Sequence, residues 1–432
     1  MEKPSEMQLL TAFEHYQAGR WSQAESIASA ITKEFPTHQF GWKVLGAVLT
    51  QMGRTEDALI PQQTSVHLEP LDAEAHNNLG VTLLELGRLG EAQESFTQAG
   101  ALQPEYTDAH NNLGNTLKEL GRLEAAENVY KKALAIQPDM PALQISLILL
   151  LECHRPSTEI QHPIAIAQKA VKDVTIPGGP QGALCDGAVV DLCGHFASVL
   201  TENQIQVKSE CSQIFRRNSV YLDCKRHMRI FDQSNVIPKF CFNCYKVQIE
   251  PRSVMDLIKL FVVFDQLELV GNNIRKCMVE RRPDLSGFYK AFVFCAKLED
   301  ANEIAHYLSE IIATRVGVDI DITVKRGCSE YASSFPRYKN TDKFAAEFME
   351  YPANWKAIED SYDSRNGITE AAGNSTLSGF NLMDALVIRN WIAYGQGIGD
   401  PSAFRLNQDI VWSNRIFQEA KHRAEKYPFQ PQ

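Results

Sequence analysis

The sequence predicts a fold of two parts, an α-solenoid of stacked helix pairs followed by an α+β domain with a helical C-terminal extension. Two marks that share one period predict the solenoid. Gly-Arg pairs begin at residues 19, 53, 87 and 121, and prolines stand at 36, 70, 104 and 138, so both marks recur every 34 residues. Past residue 240, segments with strand and helix periodicity follow in the order β-α-β-β-α-β, which predicts the second part.

Each mark has a physical role in a helix pair. A glycine tolerates the positive φ with which many helices end, so each Gly-Arg predicts the turn after the first helix of a pair. A proline cannot continue a helix, so each proline predicts the end of the second helix. Between the marks apolar residues recur at helical spacing, as at Leu79, Leu83 and Leu84. We therefore predict helix pairs throughout residues 1–140.

Two segments carry a resemblance to a known family, AHNNLGVTLLELGRLGEAQESFTQAGALQP and AHNNLGNTLKELGRLEAAENVYKKALAIQP. They closely resemble the tetratricopeptide repeat (TPR) consensus. The resemblance covers residues 7–138, is strong over 40–138 and fades after Pro138. It implies a superhelix whose first helices line a groove that binds a client protein or peptide. In residues 141–222 we expect degenerate helices that cap the array, followed by a linker, because a terminal repeat would otherwise expose its apolar face.

The candidate peptide-binding residues are Asn77, Asn78, Asn111 and Asn112, at matching points of two consecutive first helices. A side-chain amide both donates and accepts, so it can hold a peptide backbone without reading its sequence. The pattern resembles the asparagine ladder of other TPR arrays, which implies contact with a client. The alternative is that these asparagines only stabilise the turn between neighbouring repeats. The equivalent residue one repeat earlier is Val44, so the ladder is short.

Charge and composition exclude several classes of partner. The chain has 432 residues and a formal net charge of −10, and residues 1–140 hold 10 Lys and Arg against 19 Asp and Glu. Such an acidic array repels a phosphate backbone, so we expect no nucleic acid there and a neutral or basic client. No apolar stretch reaches the roughly 18 residues of a membrane helix, and no secretory pattern opens the sequence. We therefore expect a cytoplasmic protein without a membrane partner and with reduced cysteines.

The α+β domain is predicted over residues 223–340. Segments 244–251, 275–283, 287–296 and 319–327 read as strands, and 253–267 and 301–316 read as helices. This order predicts a ferredoxin-like βαββαβ core with strand order 4-1-3-2. Residues 341–432 are expected to be mostly helical, with Ser378 capping one helix that Gly395, Gly397 and Gly399 break.

The cysteines suggest a metal site on one edge of that sheet. In the predicted order the first strand runs antiparallel to the third and the fourth, so its start lies beside both of their ends. The best ligand set is Cys241, Cys244, Cys328 and His227, with Cys224 or Cys295 as substitutes. Thiolates and an imidazole at this spacing are typical of zinc, and of an iron–sulfur cluster less often.

Two alternatives to a metal stay open at this edge. The cysteines can be buried reduced thiols without a ligand. Cys328 can instead be a reactive thiol, because Lys325 and Arg326 beside it favour the thiolate.

The leading functional prediction is an interaction protein whose TPR groove captures a client and whose second domain is Cys-rich. The rival is an enzyme that modifies proteins or peptides, with the array as its recruiting arm and the Cys/Arg-rich edge as its active site. The arginines of that edge could hold an anionic cofactor or substrate, or pair with surface carboxylates; they are Arg226, Arg229, Arg252, Arg326 and Arg337. RNA binding on the sheet is a third class, disfavoured by the near-neutral charge of residues 240–330.

Overall fold

The computed structural model of the protein forms two compact units, residues 1–146 with 361–371, and residues 147–360 with 372–432. None of the described helices is both long and apolar enough to cross a membrane. The residues described are 3–155, 162–174, 182–207, 209–217, 224–269, 271, 273–342, 345, 347–366, 375–406 and 414–430.

Four helix pairs make up residues 6–136 of the first unit, and each helix packs on the next one along the chain. The pairs end where the glycine and proline marks predict. The helices are α1 Glu6–Gln17, α2 Trp21–Glu34, α3 Gln39–Gln51, α4 Thr55–Leu68, α5 Ala73–Glu85, α6 Leu89–Leu102, α7 Thr107–Glu119 and α8 Leu123–Ile136. A further helix, α9 (Pro141–Leu151), contains the division between the two units.

The glycines of the Gly-Arg pairs have the predicted backbone. Gly53 and Gly87 have φ of +73° and +75°, values that strain any residue with a Cβ. The amide of Arg54 then donates to the carbonyl of Leu49 at 2.9 Å, which satisfies a helix-end carbonyl. The sharp turn that results returns the chain along the helix it has just left.

A second kind of glycine brings the two helices of a pair together. A Cβ on Gly80 would lie 2.6 Å from the ring of Phe96, and one on Gly114 would lie 2.4 Å from the ring of Tyr130. Both rings are fully buried. Each aromatic ring therefore fills the space that the facing glycine leaves.

Charged side chains link neighbouring pairs. Lys43 on α3 binds Asp72 at 3.1 Å and Glu74 at 2.6 Å, and Asp72 also caps the N-terminus of α5. Burial alone would lower the pKa of Lys43, but its two carboxylate partners outweigh burial and raise it. These contacts fix the position of α5 relative to α3.

The second unit is an antiparallel five-stranded sheet with helices. Its helices are α10 Pro163–Lys172, α11 Asp186–Glu202, α12 Cys224–Ser234, α13 Lys239–Phe242, α14 Val254–Gln266, α15 Leu298–Arg315, α16 Ser329–Ser334, α17 Trp355–Asn366, α18 Leu382–Ile398, α19 Pro401–Arg405 and α20 Asn414–Lys426. The last residues of α17 belong to the first unit. Its strands are β1 Gln213–Arg216, β2 Tyr245–Glu250, β3 Arg275–Val279, β4 Tyr289–Cys295 and β5 Asp321–Arg326.

The sheet order is β1-β3-β4-β2-β5, with every neighbouring pair antiparallel. The four predicted strands β2 to β5 therefore lie in the order 4-1-3-2. Strand β1 comes from a segment for which the sequence predicts only helices and loops. It pairs with β3 from Gln213 opposite Met278 to Arg216 opposite Arg275, and so extends the sheet by one strand.

A buried ion network joins β1 to two helices. Arg216 binds Asp265 of α14 at 2.6 Å and Asp384 of α18 at 2.5 Å. Asp384 also forms a capping box with Asn381, so Asn381 begins α18 and the prediction of Ser378 as its cap was wrong. The carboxylate of Asp384 both closes the helix end and neutralises a buried arginine, a role that Ser378 could not fill.

Helix α18 is part of the core and does not extend from it. Trp391 and Tyr394 are fully buried, and the helix packs on α11, α14, α20 and the sheet. The helix continues past Gly395 and Gly397, two of the three glycines predicted to break it, and a Cβ on Gly395 would lie 2.8 Å from Cβ of Ala403. This glycine allows α19 to approach closely, and α18 ends at Gly399 with φ of +83°.

Two further contacts complete the second unit. Helix α10, in the region expected to cap the array, packs on α11 and α18, and its Gln168 accepts from the amide of Leu382 at 2.7 Å. Arg423 of α20 is buried and holds the turn between β3 and β4. Its guanidinium donates to the carbonyls of Leu285 and Gly287 at 2.7 and 2.9 Å, and to that of Arg282.

Candidate functional site

The four candidate asparagines lie on α5 and α7 and differ in exposure. Asn77 and Asn111 are buried, whereas Asn78 and Asn112 are partly exposed. The side-chain amide of Asn112 donates to Oδ1 of Asn77 at 3.0 Å, across neighbouring repeats. This hydrogen bond connects α5 to α7, the first helices of two neighbouring repeats. Of the four candidate asparagines, Asn78 and Asn112 are the two that reach the surface.

The cysteine edge lies at the end of the sheet where β2 begins. Tyr245 is opposite Cys295 on β4 and opposite Arg326 on β5, so Cys244, Cys295 and the residues after Arg326 meet there. The carbonyl of Cys244 accepts from the amide of Gly327 at 2.8 Å, which continues the ladder beyond β5. The sheet register thus brings together residues far apart in the sequence, as the strand order predicts.

Cys241 and His227 form the most compact part of this edge. Sγ of Cys241 lies 3.3 Å from Nδ1 of His227, and both residues are buried. Nearby, the hydroxyl of Tyr338 donates to the carbonyl of Cys241 at 2.6 Å. Burial raises the pKa of Tyr338, and negative charge on Cys244 and Cys241 would raise it further, so Cys244 belongs to the same cluster.

Cys328 has a different partner. Its Sγ accepts from Nζ of Lys246 at 3.1 Å, and it is more exposed than Cys241 and Cys244. Burial of Lys246 would lower its pKa, but the three cysteines Cys328, Cys244 and Cys241 raise it. The ammonium group of Lys246 therefore interacts electrostatically with all three cysteines of the candidate ligand set.

The fit of this cluster to a metal is incomplete. Two buried thiols and a buried imidazole are zinc ligands by chemistry. However, an ammonium group contacts Cys328, and within the described ranges no three His, Cys, Asp or Glu side chains are arranged to hold a metal ion. Cys295 is buried and burial raises its pKa to about 12, which favours the neutral thiol over a ligand. The side chain of Cys224 lies outside the described residues.

The arginines expected at this edge serve structural roles where contacts are seen. Arg226 pairs with Glu359 at 2.8 Å. Arg326 is buried, donates to the carbonyls of Phe242 and Met349 at 3.1 and 3.2 Å, and lies over the ring of Phe242. Sequence reasoning named Lys325 only as a neighbour of Cys328 and missed Lys246, its cross-strand partner, although the predicted strand order already places β2 beside β5.

The comparisons with known proteins concern the repeats. The tetratricopeptide repeat family matches residues 64–148. Four helix pairs of 34 residues with glycine turns are the structure this family requires. Residues 7–138 form a TPR array. No curated protein sequence matches the chain.

Solved structures similar to the chain include other TPR proteins. A crystal structure of MamA is 24% identical over 33% of this chain and 82% of that one, with a TM-score of 0.31. YrrB, described as a TPR protein with an unusual peptide-binding site, is 25% identical over 32% of this chain and 70% of that one, with a TM-score of 0.30. An O-GlcNAc transferase mutant of Thermobaculum terrenum is 23% identical over 30% of this chain and 25% of that one, with a TM-score of 0.29.

Proposed function

We propose that the TPR array captures an extended segment of a client protein in the groove lined by its first helices. The observation that carries this proposal is the continuous stack of four helix pairs, because stacked repeats form an extended binding surface. Asn78 and Asn112 supply amides that can pair with a client backbone. The excess of acidic residues in the array favours a client segment that is neutral or basic.

Replacing Asn78 and Asn112 together with alanine tests this role. The Asn112→Ala change removes the hydrogen bond to Asn77, which costs about 0.5–1.5 kcal/mol, so circular dichroism first establishes that the repeats stay folded. Clients recovered from native lysate by the immobilised full chain are then quantified. We expect reduced recovery with the double variant.

The matched control is Asn128→Ala, because Asn128 is an exposed asparagine on α8, a second helix. Its client recovery should equal that of the unchanged chain. If a folded double variant recovers the same clients as the control, the asparagines have no role in the groove.

For the second unit we propose a ferredoxin-like core of β2, α14, β3, β4, α15 and β5, extended by β1. The strand order 4-1-3-2 and the helices α14 and α15 that pack on the sheet support this assignment. Such folds carry many functions, so the assignment by itself names none.

We further propose that His227, Cys241, Cys244 and Cys328 bind one zinc ion. The distance of 3.3 Å between Sγ of Cys241 and Nδ1 of His227 supports it, because two ligands of one tetrahedral zinc, bonded at about 2.3 and 2.0–2.1 Å, lie about this far apart. The ammonium of Lys246 would have to move away from Cys328 for all four ligands to bind.

Elemental analysis of the purified chain, with its absorption spectrum, tests the metal. Stoichiometric zinc that Cys241→Ser loses and Cys185→Ser keeps would support the site, since Cys185 lies at the start of α11. Visible absorption would indicate an iron–sulfur cluster instead. Absence of metal before and after zinc addition would leave Cys241 and Cys244 as buried thiols and would favour a reactive thiol at Cys328.

A further inference from the structure

The sheet has one face covered by helices and another that carries a different set of side chains. Successive residues of a strand point to opposite faces. Val247 and Val293 are fully buried on the side where α14 and α15 pack. The register places lysines and phenylalanines together on the opposite side, and these are Lys246, Lys276, Lys290, Lys325, Phe215, Phe292 and Phe294.

Two of these lysines face each other directly. Lys246 on β2 is the cross-strand partner of Lys325 on β5. Their ammonium nitrogens lie 6.0 and 5.2 Å from the centroid of the Phe292 ring. Like charges directly opposite each other destabilise a sheet, and here both converge over one aromatic ring. An anion between the two ammonium groups would relieve this repulsion.

The protein compensates this pair only in part. Lys246 donates to Cys328, a thiol. In the part of the chain that the structure describes, Lys325 makes no ion pair or hydrogen bond, and the carboxylate of Glu250 attracts it only from beyond ion-pair distance. Lys325 is partly exposed, and burial together with the charges of Lys246 and Lys290 lowers its pKa to about 8.

Lys290 shows how a lysine on this face is satisfied. It is buried and lies 3.3 Å from Glu280, its carboxylate partner. Lys246 and Lys325 have no such partner among the described residues. An external anion would supply what Glu280 supplies to Lys290.

We propose that Lys246 and Lys325 form a binding site for an oxyanion, the phosphate or carboxylate group of a ligand, above Phe292. Ammonium groups donate strong charge-assisted hydrogen bonds to such oxygens. One oxyanion has enough oxygens to accept from both lysines and converts their repulsion into attraction. Partial burial strengthens the interaction, because the local dielectric is lower than that of water.

Thermal unfolding of the full chain in phosphate, acetate or chloride at matched ionic strength tests the site. A ligand that binds only the folded state raises the unfolding midpoint. The unchanged chain should show a midpoint that rises with phosphate concentration in the millimolar range, while Lys325→Met should show none of this rise. A parallel rise in acetate would show that the site takes carboxylates as well, and a rise in phosphate alone would restrict it to phosphoryl groups.

Lys276→Met is the matched control. Lys276 lies on the same face, 5.3 Å from the Phe215 ring, and its cross-strand partners are Phe215 and Phe292 instead of a lysine. It should keep the full phosphate response. An equal response in Lys325→Met, or no response of the unchanged chain to phosphate or acetate, would overturn the proposal.

A second readout separates a binding lysine from a structural one. Without phosphate or acetate, Lys325→Met should have a higher unfolding midpoint than the unchanged chain, because it removes a repulsive, partly buried charge. If Lys325 instead stabilised the empty fold, the variant would melt earlier, and the proposal would be wrong.

Discussion

Replacing Gly114 with alanine tests how closely the helices of the fourth repeat pack. The new Cβ would lie 2.4 Å from Cε1 and 2.8 Å from Cδ1 of Tyr130. That ring is fully buried, and its hydroxyl donates to Oδ1 of Asn115 at 2.7 Å. Tyr130 therefore cannot move aside without losing the hydrogen bond, and α7 and α8 must separate instead.

The size of the effect follows from two opposing contributions. Overpacking a core costs about 1–3 kcal/mol. An alanine within a helix returns about 0.5–1 kcal/mol relative to glycine. Because the hydrogen-bonded ring of Tyr130 can move little, we expect an overpacking cost near the upper end of its range. The net loss in the free energy of unfolding of the array is then about 1–2 kcal/mol.

Hydrogen exchange measured by mass spectrometry on the full chain reports this loss locally, as faster exchange in α7 and α8. The matched control is Gly90→Ala, since Gly90 lies in α6 and a Cβ there meets nothing within 4 Å. That variant should exchange no faster than the unchanged chain. If Gly114→Ala matched Gly90→Ala, the close approach of α7 to Tyr130 would be refuted.

Two further predictions concern the boundary and the acid response. Limited proteolysis should release a stable fragment of roughly the first 140–175 residues, where exposed loops are expected; first cleavage inside the repeats would contradict it. Burial alone would raise the pKa of Glu280, but hydrogen bonds from Arg282 and the charges of Arg282 and Lys290 lower it from 4.5 to about 2. Ionised Glu280 thus stabilises the fold above pH 4.5, a contribution lost as pH falls through 2. In chemical denaturation Glu280→Gln should lose about 3–5 kcal/mol at neutral pH and show a weaker acid dependence; an unchanged acid profile would assign the pH effect elsewhere.

The repeats could be predicted from the sequence because their signals are local. Gly87 and Pro104 act on their own stretch of backbone, through φ and the missing amide, whatever lies around them. The strands β2 to β5 were predictable for a similar reason, since alternation and turn residues mark them within a few positions. Their order then followed from general connection rules.

The remainder depended on distant partners. Strand β1 has four residues, too few for a periodic pattern, and is held by β3 and by the contacts of Arg216. Glycine often ends a helix, but Gly395 instead allows a close contact with Ala403, more than a helical turn away. The cysteines drew attention to the sheet edge, whereas the unusual pair there is Lys246 opposite Lys325, visible only once β2 and β5 are aligned.

The hydrogen bonds from Arg423 to the β3–β4 turn affect how the chain can fold while it is being synthesised. The guanidinium holds carbonyls of Leu285 and Gly287, so this turn lacks its clamp until a residue made well over a hundred positions later has been added. At about 5–20 residues per second, the 128 residues from the end of β4 at Cys295 to Arg423 take about 6–26 s to synthesise. Helices α1 to α8 are made before residue 137, and each packs on the next one along the chain. We therefore expect the array to be able to engage its client on the ribosome, while the sheet is still being completed.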